Sequence, residues 1–151
     1  AVAVLAYPAP RAVDAVARDF PELKIVMSHA GYPFVHEAIY ACYRNKNVYM
    51  DLSEYEAAPM CETYIRAMKE MIADKIVFAS AHPFVDIKDC LANYEKMDLP
   101  ADVKEKVMYT NACKILGLPV ASEVSSLRGK TDAQIYDILD KLFKELGKAP
   151  R

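Results

Sequence analysis

Three short runs rich in Ile, Val, Met, Phe and Tyr, at residues 24–29, 47–53 and 75–80, recur at intervals of roughly 25–28 residues, and each precedes an apolar pattern of helical period. No other feature constrains the chain as strongly. Strands and helices alternating in this way form βαβ units, so the sheet is expected to be parallel, with right-handed crossovers. After the first run Pro33 stands where a helix would begin, and Phe34, Ala38, Ala41 and Cys42 recur until Asn45-Lys46-Asn47 breaks the pattern. After the second, Pro59 precedes Tyr64, Met68, Met71 and Ile72. After the third, Asp86 offers an N-cap to Ile87, Cys90, Leu91 and Tyr94. A helix over 12–20 precedes the first strand, and two more, over 100–109 and 111–116, follow the third, the last stopped by Gly117. Three strands are few for a parallel sheet with covered edges, so either the sheet is small and shielded by its helices or these units belong to a larger sheet, the second reading being favoured.

The pattern changes near residue 120, dividing the chain into a β/α region over 1–120 and a tail over 121–151. In the tail a polar stretch over 122–130 leads to Thr131-Asp-Ala-Gln134, a capping box. Ile135, Ile138, Leu139, Leu142, Phe143 and Leu146 then form one stripe of an amphipathic helix, to be buried on its own domain or on a partner subunit.

Composition narrows the function. With 151 residues and 54% apolar side chains, a sizeable core is available. Nineteen basic and twenty-one acidic residues give a net charge of −2, which argues against nucleic acid as the main partner. No apolar run approaches the ~18 residues of a membrane span, and the opening Ala1-Val-Ala-Val-Leu-Ala6 lacks the basic flank of a signal peptide. The missing initiator Met suggests a chain that has been trimmed or is part of a longer one. Cys42, Cys61, Cys90 and Cys113 make no C-x-x-C pair, and read as small buried hydrophobes in a cytoplasmic protein. The four glycines form neither G-x-G-x-x-G nor a P-loop, which disfavours a nucleotide-binding module.

The chemistry-bearing residues gather where strands end, the place at which α/β proteins collect ligands. His29 ends the first run, with Ile25 and Met27 on its strand face. A neutral imidazole binds Zn²⁺ well and moves protons near neutral pH. Asp51 and Ser53 share a face of the second strand, an unusual place for a carboxylate unless it meets a polar lumen. Glu54 and Glu56, with Tyr55 between them, follow in the loop and are candidate substrate contacts. His82 sits at the third tip. His36, beside Glu37 on a helix, reads as a surface residue.

Four pieces in register, Ala15-Val-Ala-Arg-Asp-Phe-Pro-Glu-Leu-Lys-Ile-Val-Met-Ser-His-Ala-Gly-Tyr-Pro33, Asn47-Val-Tyr-Met-Asp-Leu-Ser53, Lys75-Ile-Val-Phe-Ala-Ser80 and Asn111-Ala112 through Leu116-Gly117, resemble the C-terminal part of the amidohydrolase-related family of metal-dependent hydrolases and decarboxylases. The resemblance implies a (β/α)8 TIM barrel, this chain supplying about three parallel βα units, roughly strands six to eight. It implies that His29 lies beside a divalent metal, expected to be zinc, as ligand or as the base that activates metal-bound water. It also implies a small carboxylated or cyclic substrate, and the match at Tyr49-Met-Asp-Leu-Ser53 supports a lumen-facing Asp51. From their places at the strand tips, Asp51, Glu54 and His82 are taken as candidate substrate contacts, Asp51 and His82 being open to a structural role as well. Two departures stand out. The family's strand eight reads like Phe-Gly-Ser-Asp-Tyr-Pro, its aspartate a metal ligand, whereas here Phe78-Ala-Ser-Ala-His-Pro83 puts Ala81 in that place. Strand alternation sends His82 to the opposite face unless the turn before Pro83 twists it inward. The family's H-x-H pair is missing as well. One chain therefore offers too few ligands for a catalytic zinc, which needs about three, and is expected to require the rest of the barrel from a longer polypeptide or a second subunit. The alternative is a non-catalytic relative with a lost metal site, acting as an interaction partner.

Overall fold

A computed structural model describes residues 1–5, 9–118 and 120. The elements run β1 (Val2–Leu5), α1 (Pro10–Asp19), β2 (Lys24–Met27), α2 (Val35–Arg44), β3 (Val48–Asp51), α3 (Cys61–Ala67), β4 (Ile76–Val77), α4 (Ile87–Lys96), α5 (Ala101–Glu105) and α6 (Asn111–Leu116). The strands form one parallel sheet in the order β1-β2-β3-β4, in which Val4 pairs with Val26, Met27 with Met50, and Asp51 with Val77. Among the described residues four strands are present rather than three. The extra one is the opening apolar run, whose Val2 and Val4 are 42% and 66% exposed on the cleft side while Leu5 packs on the core. The tail helix expected from the Ile135–Leu146 stripe lies outside the described residues.

Alternation divides the sheet into two faces. Ile25, Met27, Val48, Met50 and Ile76 point toward the helices and meet Val13, Ala17, Ala38, Cys42, Tyr64, Met68 and Ile72 in one core. Each such aliphatic side chain contributes about 1.5–3 kcal/mol by leaving water. On the other face Val26 and Val77 are covered by Ile115 of α6, with Tyr49 and Ala112 packed alongside.

The helices follow the expected caps with shifted stripes. Pro10 occupies the first turn of α1, where its missing N–H is harmless. In α2 it is Val35 that is buried, whereas Phe34 caps the helix and is half exposed. The Asp86 side chain accepts the Lys88 N–H at 2.7 Å and starts α4, but only Cys90 and Tyr94 are buried there, Ile87 and Leu91 remaining exposed. After α3 the chain continues as a π-helical turn, Met68–Ile72. Its wider turn buries Tyr64, Met68 and Ile72 at intervals of four and leaves Met71 outside.

The free edge of β4 is blunted by the chain itself. The Ile76 carbonyl accepts from the Asn111 side chain at 2.8 Å, and the Phe78 N–H donates to the Val107 carbonyl at 2.9 Å. At the end of α6 the Lys24 ammonium donates to the carbonyls of Lys114 and Ile115, and Gly117 closes the helix at φ 71°. Among the described residues no helix is long and apolar enough to cross a membrane.

Candidate functional site

The site is assembled where β2, β3 and β4 end. β2 stops at Met27, two residues earlier than the sequence suggests, and the chain turns through Ser28–Gly31. His29 and Ala30 both take φ 57° and Gly31 takes φ 64°. Histidine tolerates this left-handed backbone better than most residues. Gly31 is required: a Cβ there would lie 3.0 Å from the Ala38 Cβ and 3.3 Å from Pro10. His29 therefore leaves the strand face of Ile25 and Met27, and the turn rather than the strand aims its ring.

Asp51 joins the tips of β2 and β3. Its Oδ1 accepts the His29 N–H at 3.2 Å and the Ser53 N–H at 3.1 Å, and also a short hydrogen bond from the Ser53 hydroxyl; its Oδ2 accepts the Ser28 hydroxyl at 2.9 Å. Only 4% exposed, the carboxylate is held by charge-assisted bonds, which offset its loss of water. Asp51 thus acts as the keystone of the tip, its oxygens taken by neighbours.

The His29 ring is mostly buried, its side chain 14% exposed. Nδ1 lies 3.1 Å from the Ser53 carbonyl oxygen, 3.3 Å from Glu54 Oε2 and 3.4 Å from the Ser53 hydroxyl. A carbonyl can only accept, so Nδ1 carries a hydrogen, and in the neutral ring the lone pair is then on Nε2. Tyr55 meets this ring edge-on at 6.0 Å and stacks on Tyr32 at 4.5 Å, tying the loop after β3 to the loop after β2.

Ser28, His29, Asp51, Ser53, Ala81 and His82 share the lining of a cleft of about 480 Å³, whose remainder is apolar, from Val4, Val26 and Val77 to Phe84 and Ile115. His82 is an exposed member of this lining, because β4 ends at Val77 and alternation no longer governs the tip; Ala81 turns the chain at φ 56°. Glu54 touches His29 but is not among the cleft-lining residues, and Glu56 is turned inward, 4% exposed, accepting from Asn93 at 3.2 Å. His36 is exposed on α2. Sequence reasoning passed over Ser28, Tyr32 and Tyr55; a hydroxyl directly before the tip histidine was the available signal for Ser28.

The residues present do not fit a metal centre by themselves. Asp51 spends its oxygens on four donors, Ala81 has no donor, and among the described residues no cluster of three or more His, Cys, Asp or Glu could hold an ion.

Comparison with known proteins bears on the fold and the family. The amidohydrolase family model matches residues 2–118. An uncharacterised TIM-barrel protein from Bordetella bronchiseptica superposes with a TM-score of 0.72 at 26% identity, over 77% of this chain and 45% of that one. A dihydroxybenzoic acid decarboxylase from Polaromonas, solved with manganese and 2-nitroresorcinol, gives 0.56 at 22% identity, over 77% and 40%. A 5-carboxyvanillate decarboxylase from Sphingomonas paucimobilis gives 0.56 at 21%, over 74% and 39%. No curated protein matches. The chain spans less than half the length of these solved relatives, and its sheet is a partial β/α barrel.

Proposed function

The chain belongs to the amidohydrolase family, and on that premise we propose that it carries the proton-transfer end of a metal-dependent hydrolase or decarboxylase, incomplete in this chain, that acts on a small carboxylated or cyclic substrate. The observation that carries this reading is the His29 ring, its Nδ1 held 3.1 Å from the Ser53 carbonyl at a strand tip that opens on the cleft. A neutral imidazole in that tautomer takes up a proton at Nε2 and can return it, the service that hydrolysis asks for at water and decarboxylation asks for at carbon. Asp51 serves by fixing the two tips, and His82 faces substrate. The divalent ion, zinc in our reading, belongs to the closed barrel, with most of its ligands coming from strands outside this chain, in the same polypeptide or in a second subunit. Four thiols buried without disulfides fit a cytoplasmic setting.

One observation favours a second reading. Ala81 lines the cleft where the family resemblance calls for a carboxylate, which suits a non-catalytic relative that serves as an interaction partner. The two readings separate on His29→Asn in the full gene product, assayed by loss of hydroxybenzoates and related acids and by CO₂ release. Catalysis through His29 requires turnover in the parent and a fall of about 10²-fold or more in the variant. Turnover that survives the substitution excludes His29 as the proton carrier, and a parent inert on the whole panel supports the second reading.

A further inference from the structure

Two non-glycine residues at adjacent strand tips stand in left-handed backbone and face each other with titratable side chains: His29 at φ 57° and Glu54 at φ 73°. Such a backbone is strained for residues with a Cβ and persists only where the surroundings over-determine it. Here they do. The Asp51 carboxylate holds the His29 N–H, and the Tyr32–Tyr55 stack pins the residue that follows Glu54. The outcome is Glu54 Oε2 at 3.3 Å from His29 Nδ1, the nitrogen that already faces the Ser53 carbonyl at 3.1 Å. The Glu54 side chain is one-third exposed, so as an ion pair this contact adds little stability, and its consequence is orientation. A substrate contact would line the cleft; Ser53 and His29 do, and Glu54 does not.

We propose that Glu54 is a positioning residue that, with the Ser53 carbonyl, keeps the imidazole hydrogen on Nδ1 and so fixes the lone pair on Nε2. The inference rests on the His29 reading above and replaces the substrate-contact role that the sequence suggested for Glu54. A carboxylate suits the task better than the carbonyl alone, since it anchors the ring in both states: it accepts from Nδ1 in the neutral ring and faces the imidazolium once a proton has arrived.

The test is ¹⁵N NMR of the ring nitrogens in the 151-residue chain, on the parent, Glu54→Gln and Glu54→Ala, with circular dichroism to confirm that each is folded. The parent shows one tautomer, protonated at Nδ1. Glu54→Gln retains it, because the amide oxygen still accepts, and Glu54→Ala loses it, the hydrogen redistributing between the two nitrogens. A parent ring protonated at Nε2, or a folded Glu54→Ala with the parent's spectrum, overturns the proposal. Because the readout is a ring proton and not turnover, this result stands or falls separately from the catalytic role of His29.

Discussion

Asp51 holds the tips of two strands with one carboxylate, so its loss should be felt well beyond its own volume. Asp51→Ala leaves the Ser28 hydroxyl and the N–H groups of His29 and Ser53 without their acceptor, and we expect a loss of about 2–4 kcal/mol, read as a shift of the urea midpoint. Ala81→Asp should behave in the opposite way. Aspartate tolerates left-handed backbone better than alanine, so the variant should fold at least as well at φ 56°. It restores a donor to the cleft, and calorimetric titration with Zn²⁺ or Mn²⁺ should show tighter binding than in the parent. Unchanged binding would mark the position as repurposed. Cys42 supplies a pH dependence: burial pushes its thiol up to about 12, with the Lys75 charge opposing. The unfolded thiol ionises near its ordinary 9, so the contribution is fully present below that pH and is lost as pH rises through 12. Urea midpoints should therefore hold to about pH 9 and fall above it, and the folded protein should resist iodoacetamide at neutral pH. Among the site residues, His29 and the Asp51–Ser53 pair were legible because polar groups ending apolar strands are conspicuous. Glu54 was legible as a loop candidate but its contact with His29 was not, nor were Tyr32 and Tyr55, since these contacts arise from turns of left-handed backbone that no periodicity encodes.

At the scale of elements the sequence was most readable where burial was one-sided. The helices over 87–96 and 111–116 were found by their caps, Asp86 opening the first and Gly117 closing the second. β1 escaped because it is only four residues long, and the strand ends were set too late because the apolar run continues into the turns. The segment from the π-helical turn Lys106–Thr110 through α6 has a role that spacing alone could not show, which is to satisfy the edge of β4. Asn111 is its anchor, 1% exposed and donating to both Ala73 and Ile76 carbonyls at 2.8 Å. Asn111→Ala should cost about 2 kcal/mol and speed amide exchange at Phe78 more than at Val26.

For the molecule as a whole, four parallel strands, a cleft with one histidine pinned at its polar end, and a span under half that of its solved relatives describe part of a β/α barrel. In the function proposed above, its reactive centre is shared with strands outside this chain. In that proposal the polar end supplies a proton carrier and its supports, while the described residues lack the ligand set a catalytic ion needs. The most direct measurement is metal analysis of the purified 151-residue chain after saturation with zinc or manganese and desalting, paired with a turnover assay on hydroxybenzoates. A shared centre predicts substoichiometric metal and no turnover. One firmly retained equivalent of metal with multiple turnovers would contradict it, since the chain would then hold a complete site of its own.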